Sequence, residues 1–444
     1  MTANPFTRLQ NQADKVNLIG REAIVEQIAQ KTTSTLQANS VLLYGLTGIG
    51  KSTLIRAITQ NPSAIFAPAC QPVLGIPFAD SPENLRFLSI GFRHYNPHHT
   101  TPEMIFAALA HGIEELERHQ YQALKLEKLN HLDPIDFQSL YKKAAQARAD
   151  YRFVIGMDDF DRVLIENSDI DALNSLRALS PLVAFIITST HSPREWQERS
   201  AALTGSPWFN ISVPTEVSLF APDEAAAFVR AALGTGETVS MQDADVDWLL
   251  NFAGPHPHFI LLVGEQVHRY IKQTGRVLSA SNEVELIADR CLEVAWSALV
   301  DFWHQFSDDQ MNVMRQVADT GSTIRDAAFV SLWRKGILQA QGEGWRLFSN
   351  LFAEFVRQFG RDQTPRELTG LTPLEQSFYR YLSSSAGKIC TYDELINSIW
   401  QRDKPQNPNE ALNSLASRLR RKIDDAAIGE LQTFRGQGYR FVPK

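Results

Sequence analysis

The sequence predicts an α/β core built on a parallel sheet, followed by a helical segment and two small modules in which helices lead into a β-hairpin. Three observations predict it. Up to about residue 215, short apolar runs alternate with helical patterns, as in strand–helix–strand units. Beyond that point the strand pattern fades and a 3.6-residue period takes over. A hairpin pattern then occurs twice, once in the stretch from Gly336 and once over Thr433–Phe441.

The elements follow in order. Ser40–Tyr44 reads as a buried strand and Ser52–Thr59 as the helix after it. Glu103–His119 reads as a long amphipathic helix, and Glu115–Lys128 as its charge-rich, solvated continuation. Phe153–Met157 and Val183–Thr188 are β-rich runs bounded by polar turns. Pro222–Leu233, Asp243–Phe252 and Phe259–Thr274 read as helices. Helices return over residues 295–360, ending in GEGWRLFSNLF, a short hairpin and a helix. The polar stretch Gly360–Gly370 reads as a linker, and a last module begins at Leu371.

Composition narrows the class. A chain of 444 residues exceeds one hydrophobic core, so several domains are expected. The three cysteines, Cys70, Cys291 and Cys390, lie far apart without CxxC spacing. That excludes a disulfide scaffold and a zinc site and fits a reducing, cytoplasmic setting. MTANPFTRLQ has no apolar core of a secretory signal, and the longest apolar run, around Leu182–Ile187, is too short for a bilayer, so no membrane partner is expected. His94, His98 and His99 lack the thiol or carboxylate that would complete a metal site and read as a solvated loop. The net charge is −7, but residues 371–444 carry 11 Lys and Arg against 8 Asp and Glu, a surplus of +3, leaving −10 on the rest. A polyanionic partner is therefore expected at the C-terminal end.

Gly45-Leu46-Thr47-Gly48-Ile49-Gly50-Lys51-Ser52 fits G-x-x-x-x-G-K-[ST], with a strand before it and a helix after it. Glycine permits the positive φ that aims successive N–H groups at one anion. Lys51 would reach the β- and γ-phosphates of ATP, Ser52 would offer a hydroxyl to Mg²⁺, and the backbone of Gly45, Gly48, Ile49, Gly50 and Thr53 would complete the cradle. Downstream, YRFVIGMDDFDRV ends a strand in Asp158 and Asp159. Asp158 is assigned to the Mg²⁺, and Asp159 to polarising the attacking water. Asp161 reads as a solvated turn residue.

Ile19-Gly20-Arg21-Glu22, the phosphate loop and Val154–Asp161 resemble the STAND signalling ATPases and their origin-recognition-type AAA+ relatives. Gly254-Pro255-His256-Pro257-His258-Phe259 resembles the G-x-P box of their helical lid, and the stretch from Gly336 their winged helix. The resemblance spans roughly residues 5–360. It implies a P-loop NTPase core over 1–214, a helical lid over 215–290 and a winged helix over 291–360, with the polar stretch at 361–370 as the linker beyond it. It implies a switch in which ADP keeps lid and winged helix closed, while ATP favours opening and self-association. Slow hydrolysis is expected beside it, and a partner protein as trigger, since no long sensor domain such as a repeat array is visible. The resemblance places Gly20 and Arg21 near the adenine and Pro257 beside the nucleotide, with His256 reading the phosphates. The chain departs from the pattern at Ile187–His191, where many relatives carry an arginine; Thr188 or Ser189 is left as the polar sensor, and Arg194 and Arg199 read as surface charges.

LTPLEQSFYRYL, GKICTYDELINSIW, EALNSLASRLRRKID and LQTFRGQGYRFVPK resemble, over residues 371–444, the OmpR/PhoB-type winged-helix DNA-binding domain. The period of Asn409–Ile423 puts Leu412, Leu415, Leu419 and Ile423 on a core face and Asn413, Ser417, Arg418, Arg420 and Arg421 elsewhere. Such a helix suits the major groove of double-stranded DNA, and the resemblance places Arg435 and Arg440 on a wing beside it. The expected function is a nucleotide-switched DNA-binding regulator. Two rival expectations are a STAND-type scaffold whose winged helices bind protein, and an AAA+-like machine that remodels or loads something on DNA.

Overall fold

The computed structural model describes residues 5–6, 18–32, 40–60, 85–96, 99–116, 119, 121–126, 131–147, 151–166, 170–199, 210–234, 241–278, 281–362, 371–385, 387, 389–400, 405, 407–425, 428–434 and 436–443. The chain divides into two compact units, Met1–Val313 with Gly321–Phe352, and Met314–Thr320 with Ala353–Lys444.

The first unit is organised by a parallel sheet of six strands: β1 (Ser40–Tyr44), β2 (Leu85–Gly91), β3 (Tyr121–Lys125), β4 (Arg152–Asp158), β5 (Val183–Ser189) and β6 (Ser212–Glu216). Their order is β3-β2-β4-β5-β1-β6. The central strands are apolar because helices cover both faces; every residue of β5 is buried. β5 separates β1 from β4, with Leu43 opposite Thr188 and Met157 opposite Ile187. The ends of three adjacent strands therefore meet at one edge, where ligands of open α/β sheets bind.

Three strands carry no clear sequence pattern, and one corrects an expectation. Tyr121–Lys125, within the stretch expected to be helical, is strand β3, which among the described residues lies at the sheet edge and pairs with β2 alone. No side chain of it is fully buried, so the alternation that marks a half-buried strand is absent. The helix before it runs Pro102–Glu115, opened by the Thr101 side chain as N-cap and by Pro102 at its first turn.

Helices Pro222–Gly234, Asp243–Ala253, Pro257–Thr274 and Val284–Trp303 follow the sheet. Helices Asp308–Thr320 and Ala327–Arg334 come next, then a hairpin of β7 (Leu338–Gln341) and β8 (Gly344–Leu347), then helix Asn350–Asp362. That last helix enters the stretch expected to be linker, whose remainder lies outside the described residues.

In the second unit, helix Pro373–Ser384 opens with a capping box between Thr372 and Glu375. β9 (Cys390–Thr391), helix Tyr392–Trp400, helix Pro408–Asp425 and the hairpin of β10 (Gly429–Phe434) and β11 (Gly438–Pro443) follow. Leu412, Leu415, Leu419 and Ile423 are buried in a core with Phe378, Leu395, Leu431 and Phe441. Among the described residues, no helix is long and apolar enough to cross a membrane.

Candidate nucleotide site and reading helix

The loop after β1 turns through three glycines of positive φ, Gly45, Gly48 and Gly50. A side chain on Gly50 would project into open space while forcing φ +103, so here the need is conformational. Lys51, buried at the start of helix Lys51–Gln60, folds back onto the loop and donates to Gly45 O at 2.7 Å and Leu46 O at 2.9 Å. Burial pulls its ammonium down to about 8, against the opposing pull of Asp161, Asp159 and Asp158. Ile49 is buried and Thr53 half-buried on the helix behind.

The carboxylates sit at the end of β4. Asp158 Oδ1 accepts from Ser52 Oγ at 3.0 Å and from Thr188 Oγ1 at 2.7 Å. The Thr188 oxygen accepts in turn from the Asp159 N–H at 2.8 Å. Among the described non-glycine residues Asp159 alone has positive φ, 55°, a conformation that marks strain where surrounding structure imposes it. Burial raises its carboxyl above the ordinary range, with further push from Asp158, while Lys51 and Arg93 pull the other way.

Asp161 is not a solvated turn residue. Its carboxylate accepts from Ser189 Oγ at 2.6 Å, and from Thr190 N and Oγ1 at 2.6 and 2.7 Å. Ser189 also accepts from Trp196 Nε1 at 2.8 Å. The alternative between Thr188 and Ser189 is thereby separated: Thr188 touches Asp158, whereas Ser189 and Thr190 fasten the loop after β5 to Asp161.

Arg21 spans from the phosphate loop to the segment after β6, donating to Ile49 O at 3.3 Å and Ser218 O at 2.9 Å, with its guanidinium 4.5 Å from the Phe220 ring centre. Burial lowers its pKa, with Glu224 and Glu22 opposing. Gly20 lies against the Glu224 side chain. Pro257 opens helix Pro257–Thr274 with His256 as its N-cap residue. His256 is fully buried, and its Nε2 bonds Thr47 O at 3.0 Å. Burial drives its pKa down to about 3, helped by His258, so the ring is neutral and donates from Nε2. The geometry makes His256 a brace of the loop backbone rather than a cation facing phosphates. Gln305, which carries no sequence motif, accepts from the Thr47 N–H at 3.0 Å.

In the second unit the expected DNA contacts divide. Asn413, Ser417, Arg418 and Arg421 are exposed on helix Pro408–Asp425. Asn413 Oδ1 accepts from Tyr439 OH at 2.6 Å. Arg420 is half-buried and ties helix to hairpin, through Leu431 O at 2.9 Å and Thr433 Oγ1 at 2.5 Å. Arg440 donates to Gln432 Oε1 and lies over the Phe434 ring. Arg418 Nε is 3.5 Å from Glu375, whose other oxygen accepts from Lys422 at 2.7 Å. Burial pushes the Glu375 carboxyl up, but hydrogen bonds from Lys422 and Thr372 outweigh it and hold the group at about 2. Arg435 lies outside the described residues.

Residues 17–187 match the AAA ATPase domain, and residues 366–441 match the domain described as transcriptional regulatory protein, C terminal. No curated protein matches the chain in sequence. Among solved structures it is similar to the Walker-type ATPase PABY2304 of Pyrococcus abyssi, with TM-score 0.51 and 14% identity over 77% of this chain and 96% of that one. It is also similar to the ORC2 protein of Aeropyrum pernix, at TM-score 0.48 and 13% identity over 79% of this chain and 97% of that one. The ORC1 protein of Aeropyrum pernix, solved in complex with DNA, gives TM-score 0.43 and 13% identity over 100% of this chain and 93% of that one. The chain carries an AAA ATPase domain fused to a C-terminal winged-helix DNA-binding regulatory domain.

Proposed function

We propose that this protein is a regulator whose grip on duplex DNA is set by the nucleotide in the loop Gly45–Thr53. The observation that carries the reading is that the loop suited to a triphosphate is the same loop that His256 braces from the lid side. A γ-phosphate that shifts this loop acts on both partners at once, and only such a differential contact shifts an equilibrium.

ATP would draw Lys51 from the Gly45 and Leu46 carbonyls to its phosphates. Ser52 Oγ and Asp158 Oδ1, 3.0 Å apart, are hard oxygen ligands of the kind Mg²⁺ prefers. Mg²⁺ would there neutralise phosphate charge. Thr188 keeps the Asp158 carboxylate oriented, as a polar sensor. Asp159, whose raised pKa suits a general base, would orient and deprotonate the attacking water. Gly20, Arg21 and Pro257 would border the base and sugar. Opening of the lid would favour self-association, and linked copies of a weakly basic reading helix would gain affinity by multivalency.

Asn413, Ser417, Arg418 and Arg421 would face the DNA. Arg420 and Arg440 support this surface more than they extend it. The tying-up of these two arginines favours a second reading, in which the winged helices contact protein and ATP drives assembly of a scaffold.

A gel-mobility titration of random-sequence duplex against Arg418→Ala/Arg421→Ala decides between them. The regulator reading expects salt-dependent binding in the wild type and its loss in the variant, with nucleotide-dependent assembly intact. Absence of salt-dependent binding in the wild type selects the scaffold.

A further inference from the structure

Gln305 lies in the turn after helix Val284–Trp303, far in sequence from the phosphate loop. Both ends of its amide are engaged. Oε1 accepts from the Thr47 N–H at 3.0 Å, and Nε2 donates to Phe302 O at 2.8 Å. The Thr47 N–H belongs to the same planar peptide unit as the Leu46 carbonyl. That carbonyl accepts from Lys51 Nζ at 2.9 Å. One rigid peptide therefore has Lys51 at one end and Gln305 at the other.

The next peptide unit is held in the same way. Its carbonyl is Thr47 O, gripped by His256 Nε2, and its N–H is that of Gly48, one of the groups able to face an anion. Gly48 has φ +75, and an added side chain would press on His256 at 3.0 Å and His258 at 3.2 Å. The His256 ring stacks on Phe259 at 4.3 Å and meets Phe302 edge-on at 5.2 Å. Phe302 in turn contacts Phe348 and Phe352, at 5.9 and 5.1 Å between ring centres. Two consecutive peptides of the loop are thus oriented by residues from the lid and from the end of the long helix behind it.

We propose that Gln305 is a positioning residue of the nucleotide site, orienting through the Leu46–Thr47 peptide both the resting acceptor of Lys51 and the crown of the phosphate loop. The hydrogen bonds run in one direction, from the Lys51 ammonium through Leu46–Thr47 and the Gln305 amide to the Phe302 carbonyl, so each polarises the next. Withdrawal of Lys51 toward a phosphate weakens the chain at its head, and displacement of the helix end weakens it at its tail. Coupling of this kind is reciprocal: whatever moves Gln305 changes nucleotide affinity by the factor with which nucleotide moves Gln305. The inference rests on the reading that the loop binds a nucleotide.

The test is calorimetric titration of the full chain with MgADP and with a non-hydrolysable MgATP analogue, for wild type, Gln305→Leu and Gln305→Glu. Leucine keeps the bulk and removes the acceptor; glutamate keeps the acceptor for the Thr47 N–H. The expected result is a dissociation constant about tenfold weaker for Gln305→Leu, within the range of single coupling contacts. Gln305→Glu, which keeps that acceptor but loses the donor to the Phe302 carbonyl and adds a charge, is expected to weaken binding less than Gln305→Leu, with thermal unfolding of the two variants alike. Wild-type affinity in Gln305→Leu overturns the inference and leaves the proposed function standing. Equal weakening in both variants with a lowered unfolding temperature also overturns it, since the residue then serves packing alone. No uptake by the wild type defeats the reading beneath it.

Discussion

Thr188 and Asp158, on neighbouring strands, share a hydrogen bond of 2.7 Å, and Thr188 also holds the Asp159 N–H at 2.8 Å. One hydroxyl therefore orients the carboxylate proposed to hold Mg²⁺ and fixes the backbone of the proposed base. Thr188→Val keeps the shape and removes both bonds. It is expected to cost about 1–3 kcal/mol of stability, as buried partners left unsatisfied do. ATP turnover is expected to fall at least tenfold while nucleotide affinity stays within about threefold, read by phosphate release and calorimetry.

Asp159 carries two separable burdens, a raised carboxyl pKa and a left-handed backbone. A raised pKa means that ionisation is less favourable in the folded chain than in the unfolded one. Ionised Asp159 thus lowers stability once the pH exceeds the unfolded pKa. Asp159→Asn removes the charge and tolerates the backbone conformation. It is expected to unfold at a higher temperature than wild type at pH 7 and to lose about 100-fold or more in turnover. Scanning calorimetry and a turnover assay on one preparation check both.

Lys51 supplies a pH dependence from the same cause, burial, acting on a cation and so in the opposite direction. Burial lowers its pKa to about 8, so the charge that attracts phosphate is lost as pH rises through that value. Bound phosphates favour the ammonium form and raise the pKa again. ATP affinity is therefore expected to fall between about pH 7.5 and 9, with proton uptake on binding at the upper end. Calorimetry in buffers of different ionisation enthalpy reads the uptake directly. Lys51→Arg is expected to bind with no such dependence, because guanidinium does not titrate there.

Arg420 and Arg421 are neighbours with different duties. Arg420 ties helix Pro408–Asp425 to Leu431 and Thr433 of the hairpin, whereas Arg421 is exposed. Arg421→Ala is expected to weaken duplex binding and reduce the salt slope by about one, with stability unchanged. Arg420→Ala is expected to destabilise the C-terminal unit by about 1–2 kcal/mol through loss of charged hydrogen bonds. Binding isotherms at several salt concentrations, beside thermal melts, separate the two.

What the sequence disclosed and what it withheld divide along physical lines. β1, β4 and β5 were legible because both faces are buried, leaving unbroken apolar runs such as Val41–Leu43 and Phe153–Ile155. The phosphate loop was legible because its chemistry restricts residue type at fixed spacing. β3 was not, because an edge strand with half-exposed side chains has no pattern to distinguish it from a charged helix face. The core face of Pro408–Asp425 followed from its period, but the ties of Arg420 and Arg440 did not, since they depend on where a hairpin folds back. Asp161 looked solvated because its partners, Ser189 and Thr190, come from another strand end. Gln305 could not be found at all from local pattern: a lone glutamine after a helix gains its meaning only from the loop it reaches.

The most direct measurement is the dissociation constant of a random-sequence duplex for the full chain at low salt, with MgATP analogue and with MgADP, in wild type and Lys51→Ala. The account predicts severalfold tighter binding with the ATP analogue in the wild type and no difference between nucleotides in Lys51→Ala. Equal affinities with both nucleotides in the wild type, at saturation, would contradict it.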